Sequence, residues 1–280
     1  MEVADRIGRA GGVLTPAERR VAEVVLVQPE LVAFGTVAEL ADASAAGAAT
    51  VVRLATKLGF EGFTSLQHSI QHDLARQLRP AAERIRQPAA TDAISRHLEL
   101  EVDNVRSTLG GIDAETLSDV VMHLANAGSR VWVLSGDASS GVAQQFVADL
   151  AALRDDVALI GGNEVAVQRQ LSLLRSADVV VTVDLRRYDR WLIEAVHTAG
   201  AAGLWCVAIT DSLLSPLAEH VDRSMLVAAA SLGPFDSHVA MLALLNLVVA
   251  GVADNLRVEA TARLDRAEQA WRTASALTDR

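Results

Sequence analysis

Five short apolar runs recur in the second part of the chain, separated by segments with helical spacing. The runs lie at 130–135, 157–160, 178–184, 204–210 and 223–228. Because they are almost continuously apolar, they predict strands that are buried on both faces. Helical spacing fills the gaps at 139–154, 164–175, 188–200 and 213–220, and it flanks the runs at 92–109, 113–127 and 236–277. Alternating strands and crossover helices predict an α/β three-layer sandwich with a five-stranded parallel sheet.

Two short helices joined by small residues are predicted near the start of the chain. Thr36 is suited to cap a helix over 37–44, and the small residues at 44–47 have the length of a sharp turn. A second helix is predicted over 48–58, and Gly59 ends it by allowing the left-handed backbone conformation. The first part of the chain is therefore predicted to be all-α, with a helix-turn-helix.

The two faces of the second helix differ in chemistry. One face is an apolar stripe at helical spacing, formed by Val51, Leu54, Ala55 and Leu58. Thr50, Arg53 and Lys57 are expected on a flank clear of that stripe, and Arg19 and Arg20 complete a local basic cluster. Hydroxyl and cationic groups on such a flank can reach base edges and phosphates. The pattern predicts binding to double-stranded DNA; for an isolated helix pair, a merely solvated face is the alternative.

Further motifs surround this helix pair within the first 75 residues. In order, they are LTPAERRVA at 14–22, PELVAF at 29–34, VAELA at 37–41, ATVVRL at 49–54 and KLGFEGF at 57–63. Together they resemble the RpiR/MurR family of bacterial transcriptional regulators. The run at 45–48, AAGA, departs from the Gly-hydrophobic-Ser-Glu run usual in that family. Because Gly costs only a few tenths of a kcal/mol relative to Ser at a helix cap, we expect the fold to survive this change.

The charge is unevenly distributed along the chain. The net charge is −10, yet residues 1–86 contain 10 Lys/Arg and 10 Asp/Glu, whereas residues 87–280 contain 15 and 25. A neutral first domain can still bind DNA through a local basic cluster, and dimerisation doubles the contacts. With 280 residues, 51% of them apolar and 21% charged, the chain is predicted to hold two ordered domains.

The segment at 78–92, bracketed by Pro80 and Pro88, is the predicted boundary between these domains. The prediction is a DNA-binding domain at 1–78, a linker at 79–92 and an oligomerisation domain at 93–280. No apolar run reaches the roughly 20 residues of a membrane span and no secretion signal is evident, so we expect a cytoplasmic protein without a membrane partner. The single cysteine excludes an internal disulfide, and neither a metal nor a cofactor is expected.

Residues beside the predicted strands resemble the SIS (sugar isomerase) domain over about 125–255. The resemblance is carried by ASSGVA at 138–143, AITD at 208–211, SPLA at 215–218 and VD at 221–222. It implies a domain that binds phosphosugars. A Ser-rich turn that enters a helix directs N–H groups, hydroxyls and the helix dipole at one point, which favours an anion. Ser139 or Ser140 acting only as a helix cap is the alternative.

One loop departs from the resemblance. After the third strand the family usually carries Ser-x-Ser-Gly-x-Thr, whereas this chain has DLRRYD at 184–189, and Asp137 replaces a usual Gly in the first loop. Either Arg186 and Arg187 bind a different anion through bidentate hydrogen bonds, or they pair with Asp184, Asp189 and Asp137. The expected ligand residues are Ser139, Ser140, Asp184, Arg186, Arg187, Thr210 and Asp211.

These patterns predict a DNA-binding transcriptional regulator. Its second domain is expected to sense a small anionic metabolite, a phosphosugar or a related compound, and to form a homodimer or homotetramer. One alternative is an SIS-type phosphosugar isomerase, but Glu164, His197 and His220 show no spacing that compels an acid/base pair. The other alternative is an SIS dimerisation scaffold without a ligand.

Overall fold

A computed structural model of the chain describes residues 3, 6, 7, 10, 14–77, 81–85, 92–212 and 215–276. The chain divides into two compact units, Met1–Pro88 and Ala89–Arg280, each with its own apolar core. Most of the predicted linker, 79–92, lies outside the described residues, so the exact domain bounds stay a prediction.

The described elements of the first unit are all helical, as predicted. They are α1 (Pro16–Val27), α2 (Pro29–Phe34), α3 (Val37–Ala43), α4 (Ala48–Lys57), α5 (Phe63–Gln77) and the short α6 (Ala81–Arg84). Their core contains fully buried side chains from five different helices, such as Val21, Val32, Leu40, Leu54 and Leu66. Helices α3 and α4 confirm the predicted helix-turn-helix.

Helices α1 and α3 each begin with a capping box, in which the residue before the helix and a glutamate three positions later exchange hydrogen bonds. The Thr15 hydroxyl accepts from the Glu18 N–H at 3.3 Å, and the Glu18 carboxylate accepts from the Thr15 N–H at 2.8 Å. Thr36 and Glu39 repeat this arrangement at the start of α3, with distances of 3.2 and 2.7 Å. Each box satisfies backbone donors that the first helical turn leaves without partners.

The second unit alternates strands and helices. Its elements are α7 (Ala93–Gly110), α8 (Ala114–Ala125), β1 (Val131–Ser135), α9 (Ser140–Leu153), β2 (Val157–Ile160), α10 (Glu164–Leu171), β3 (Val179–Val183), α11 (Arg190–Ala201), β4 (Trp205–Thr210), β5 (Arg223–Leu226), α12 (Val239–Asn255) and α13 (Arg257–Ala274). All strand pairs are parallel, in the order β2-β1-β3-β4-β5. The predicted five-stranded parallel sheet is confirmed.

Alternate residues of β3 enter two separate cores. Val181 and Val183 pack in one core with Phe146 of α9 and Leu244 of α12. Val180 packs in the other core, which also contains residues of α10 and α11. The sheet is thus covered on both faces, as a three-layer sandwich requires.

Two helical predictions are corrected. Within 213–220, residues 213 and 214 lie outside the described part, 215–217 form a turn, and only a 3₁₀ turn spans Ala218–His220. The single segment predicted at 236–277 is two helices, α12 and α13, with a bend of 103° between them. Among the described residues no single helix is long and apolar enough to cross a membrane; α12 and α13 meet that criterion only as this bent pair.

Candidate functional site

The outward face of α4 consists of six exposed residues. They are Ala48, Ala49, Val52, Arg53, Thr56 and Lys57. The predicted inner stripe is buried: Val51, Leu54 and Ala55 are fully enclosed, and Leu58 is nearly so. Helix α4 therefore has the division of faces that a DNA-reading helix needs.

Thr50 does not lie on the outward flank, contrary to the sequence prediction. It is 7% exposed, and its hydroxyl accepts a hydrogen bond from the Arg53 guanidinium at 3.0 Å. The two residues are one helical turn apart, so the contact is local. Thr50 thus holds the Arg53 side chain, while Arg53 itself faces outward.

Lys57 forms an ion pair that joins α4 to α1. Its Nζ lies 2.7 Å from Oε2 of Glu18, and the side chains are 35% and 7% exposed, respectively. Glu18 also accepts from the Thr15 N–H. The hydrogen bond from Lys57, followed by that from Thr15, lowers the pKa of Glu18 to about 2. The positive charge of Lys57 is therefore partly neutralised by a buried carboxylate of the same unit.

The two arginines of α1 contact backbone carbonyls. Arg20 donates from Nε to the Ser44 carbonyl at 3.2 Å and from Nη2 to the Ala45 carbonyl at 3.0 Å. Ala45 has a φ of 46°, in the left-handed region that costs a non-glycine residue roughly 1–2 kcal/mol. Arg19 donates to the Leu14 carbonyl at 3.3 Å. Arg20 thus fixes the turn between α3 and α4.

The predicted ligand loops meet at the carboxyl ends of β1, β3 and β4. Strand β1 lies between β2 and β3, so the connections that follow β1 and β2 lead to opposite sides of it. Ligands of open parallel sheets bind at such a switch point. Gly136 is needed here because a Cβ atom at this residue would lie 2.3 Å from Oδ1 of Asp184.

Asp184 anchors the loop that follows β3. Its carboxylate accepts from the Leu185 N–H at 2.9 Å and from the Asp189 N–H at 3.2 Å. The side chain is buried, and this burial raises its pKa to about 6. Asp189 in turn accepts from the Asp137 N–H at 2.9 Å, which ties this loop to the one after β1. Both acids therefore bind backbone N–H groups.

Arg186 is the paired arginine of this loop. Its guanidinium lies 3.2 Å from the Asp236 carboxylate and 3.8 Å from the Asp211 carboxylate. The backbone N–H of Arg186 also donates to Asp211, at 3.0 Å. Pairing with Asp184, Asp189 and Asp137 was one of the two alternatives from the sequence, and for Arg186 those partners are wrong: the carboxylates of Asp184 and Asp189 accept from backbone N–H groups instead. Tyr188 also donates to Asp211, at 2.7 Å, and burial together with that carboxylate raises the pKa of Tyr188.

The remaining predicted ligand residues differ in accessibility. Ser139 is fully buried, with its hydroxyl 3.3 Å from Nε2 of His238, and Thr210 is also fully buried. Ser140 is half-buried at the first position of α9, and Arg187 is exposed with a φ of 72°. The accessible candidates are thus Ser140 and Arg187. Sequence reasoning missed Asp236 and His238 because it placed them inside the helical segment predicted at 236–277, whereas the structure leaves both before α12, which begins at Val239.

The histidines considered as catalytic bases lie at the opposite ends of the strands from the predicted ligand loops. The rings of His197 and His220 meet edge to face, with their centroids 4.6 Å apart. They line a shallow depression together with Leu204 and Asp222, at the amino ends of β4 and β5. Neither histidine therefore lies with the Ser, Arg and Asp residues at the carboxyl ends of the strands.

Comparison with known proteins identifies both units. Residues 1–77 match the helix-turn-helix domain of the rpiR family, and residues 123–251 match the SIS domain. An uncharacterised HTH-type transcriptional regulator of Haemophilus influenzae is 29% identical over 225 residues, which are 79% of this chain and 77% of that protein. The regulator HexR of Pseudomonas aeruginosa is 25% identical over 252 residues, 85% of each chain.

Two solved structures share the fold. The sugar isomerase domain of an RpiR transcription factor from Sphaerobacter thermophilus is 26% identical, with a TM-score of 0.58 over 64% of this chain and 99% of that one. NanR of Vibrio vulnificus, complexed with ManNAc-6P, is 20% identical, with a TM-score of 0.59 over 97% of this chain and 98% of that one. The likeness to NanR concerns the fold.

Proposed function

From the premise that this chain belongs to the RpiR family of helix-turn-helix transcriptional regulators, we propose that α4 reads the DNA sequence of its operator. We also propose that a small anion bound to the second unit controls this binding. The observation that carries the proposal is the outward face of α4, where Arg53 is exposed and held by Thr50 at 3.0 Å. A guanidinium fixed in this way can donate two hydrogen bonds to a guanine in the major groove.

The other basic residues support this reading in a different role. Arg20 holds the turn before α4, and Lys57 holds α4 against α1 through Glu18. Exposed Arg19 is placed on α1, where a phosphate contact would add affinity without sequence information. We therefore assign base reading to Arg53, and positioning or phosphate contacts to the other four predicted residues.

The proposal includes a homodimer or homotetramer formed through the second unit. On α7, Ile94, Leu98 and Val102 recur every fourth residue and are 85%, 63% and 42% exposed. A stripe of this kind is costly in water, and a second copy of the chain that covers it would pair two DNA-reading units for a palindromic operator. Binding to DNA places the site of action in the cytoplasm.

The effector is proposed to bind where the loops after β1 and β3 meet. Ser140 at the start of the 14-residue helix α9 and exposed Arg187 offer donors and positive charge there. Arg186 is already occupied by Asp211 and Asp236, so it shapes the loop. That NanR was solved with ManNAc-6P supports a phosphosugar or a related anion as the ligand class.

We do not assign isomerase activity to this site. An isomerase needs a base close to the anchored sugar. His197 and His220 lie at the amino ends of β4 and β5, away from the loops that would hold the phosphate. The curated relatives in these comparisons that match over most of their length are named as regulators.

The test is operator binding by α4 variants. The full chain is used to select binding sites from a random duplex library, and the selected operator is then bound by the wild type and by Arg53→Ala. Loss of a bidentate contact should weaken binding by about 1–3 kcal/mol, or about 5- to 150-fold. Arg266→Ala, which removes an exposed arginine of α13, is the matched charge control. Equal affinity of Arg53→Ala and the wild type would refute the assignment.

A further inference from the structure

Val52 is an exposed valine in the middle of the outward face of α4. It is 42% exposed, whereas its neighbour Val51 is fully buried. Single exposed apolar residues are common on protein surfaces, so exposure alone says little. The position is informative: Val52 precedes Arg53 directly and lies one helical turn before Thr56, on the face proposed to enter the major groove.

The residues before Val52 allow a close approach to the bases. Ala48 and Ala49 are exposed and small, and the cap residue Gly47 has nothing within 4 Å of the place where a Cβ atom would stand. No side chain caps the start of α4. The amino-terminal turn of α4 therefore presents no bulk that would hold the next turn, with Val52 and Arg53, away from the groove.

The chemistry of Val52 selects one group among those displayed in the major groove. Its side chain offers only methyl groups, and the thymine C5-methyl is the apolar group that base pairs present there. An amino group or a bare acceptor placed against Val52 would lose its water without gaining a hydrogen bond. Arg53, held by Thr50, has the complementary preference for the guanine acceptors.

We infer that Val52 is a specificity-determining residue that reads the C5-methyl group of a thymine in each half-site, beside the guanine bound by Arg53. The inference rests on the proposed function, because it requires α4 to lie in the major groove. It adds a residue and a base that the basic cluster does not specify.

The experiment removes the methyl group from the DNA and the side chain from the protein. The selected operator is synthesised with deoxyuridine in place of each thymine in turn, symmetrically in both half-sites. For wild-type protein, one such position should weaken binding about fourfold per half-site, the effect of one buried methyl group. Val52→Ala should lose a similar factor on the thymine operator and should show no further loss with deoxyuridine at that position.

Matched variants separate this reading from general damage. Leu26→Ala removes a similarly exposed apolar side chain, 44% exposed, from α1 and should keep both the affinity and the deoxyuridine penalty of the wild type. Val52→Thr keeps the β-branched shape but replaces one methyl by a hydroxyl, and should reduce the thymine preference.

The outcomes distinguish the inference from the proposed function. If no deoxyuridine position weakens the wild type, or if Val52→Ala keeps the full penalty, the inference is overturned while operator binding through Arg53 stands. If no operator is selected, or if Arg53→Ala binds as the wild type does, then the proposed function fails and the inference fails with it. The inference is supported if the deoxyuridine penalty is lost in Val52→Ala but kept in Leu26→Ala.

Discussion

Replacing Glu18 by Gln should loosen the packing of α4 on α1. Gln keeps an acceptor oxygen for the Thr15 N–H but lacks the charge that faces Lys57 at 2.7 Å. Lowering a pKa from 4.5 to about 2 corresponds to about 3 kcal/mol for all the interactions of the carboxylate together. Because Thr15 contributes a part that Gln can retain, we expect Glu18→Gln to cost about 2 kcal/mol.

The capping box formed by Thr36 and Glu39 at the start of α3 provides the matched control. Glu39→Gln changes the same contacts, to Thr36 at 2.7 and 2.9 Å, but Glu39 is exposed and has no ion pair with a lysine among the described contacts. It should therefore have a small effect. The difference between the two variants isolates the ion pair with Lys57.

Hydrogen exchange of the full chain measures this difference. All four tryptophans lie in the second unit, so their fluorescence does not follow the first one. Amides of α1 and α4 should exchange faster in Glu18→Gln by a factor that corresponds to about 2 kcal/mol. Since folding lowers the pKa of Glu18, its stabilising effect is complete above pH 4.5 and is lost as the pH falls toward about 2. Equal protection in the two Gln variants at pH 7 would refute the reasoning.

Three further predictions concern the second unit. Burial raises the pKa of Asp184 from 3.8 to about 6. Acidification from pH 7.5 to 4 should therefore stabilise the wild type by up to about 3 kcal/mol relative to Asp184→Asn. Denaturant unfolding followed by tryptophan fluorescence measures this difference. Gly136→Ala should destabilise this unit by more than about 2 kcal/mol because its Cβ would lie 2.3 Å from Asp184, whereas Gly141→Ala, which meets nothing within 4 Å, should not. A panel of phosphosugars should contain a compound that raises the melting temperature of the wild type but not of Arg187→Ala, with no isomerase turnover; a shift retained in Arg187→Ala would move the site elsewhere.

The sequence predicted most of the sheet because its strands are buried on both faces. The runs at 178–184 and 204–210 correspond to β3 (Val179–Val183) and β4 (Trp205–Thr210), since the nearly continuous burial of these central strands demands continuous apolar residues. The sequence pattern misplaces Thr50 because a hydroxyl counts as polar, although Thr50 stands four residues before Leu54 and so extends the buried stripe.

The ligand loops were predictable in position but not in pairing. The carboxyl ends of the strands follow from the parallel sheet, which placed Asp184 and Asp211 correctly at one edge. The partner of Arg186, Asp236, lies 50 residues further along the chain. No local pattern relates two residues so far apart, and matching charges among nearby acids pointed to the wrong ones. Such pairs are set by the folded backbone.

Lys57 is the only lysine among the 25 basic residues of the chain. A reagent that acylates side-chain amines therefore has one target of this kind, and that target lies on α4, the helix proposed to read DNA. Acylation would remove the cation and leave the Glu18 carboxylate, 7% exposed, without its partner. Immobilising the protein through lysine would accordingly couple it by the face that we propose to enter the major groove. The rate at which Lys57 is labelled reports instead how often its contact with Glu18 opens, with and without bound operator.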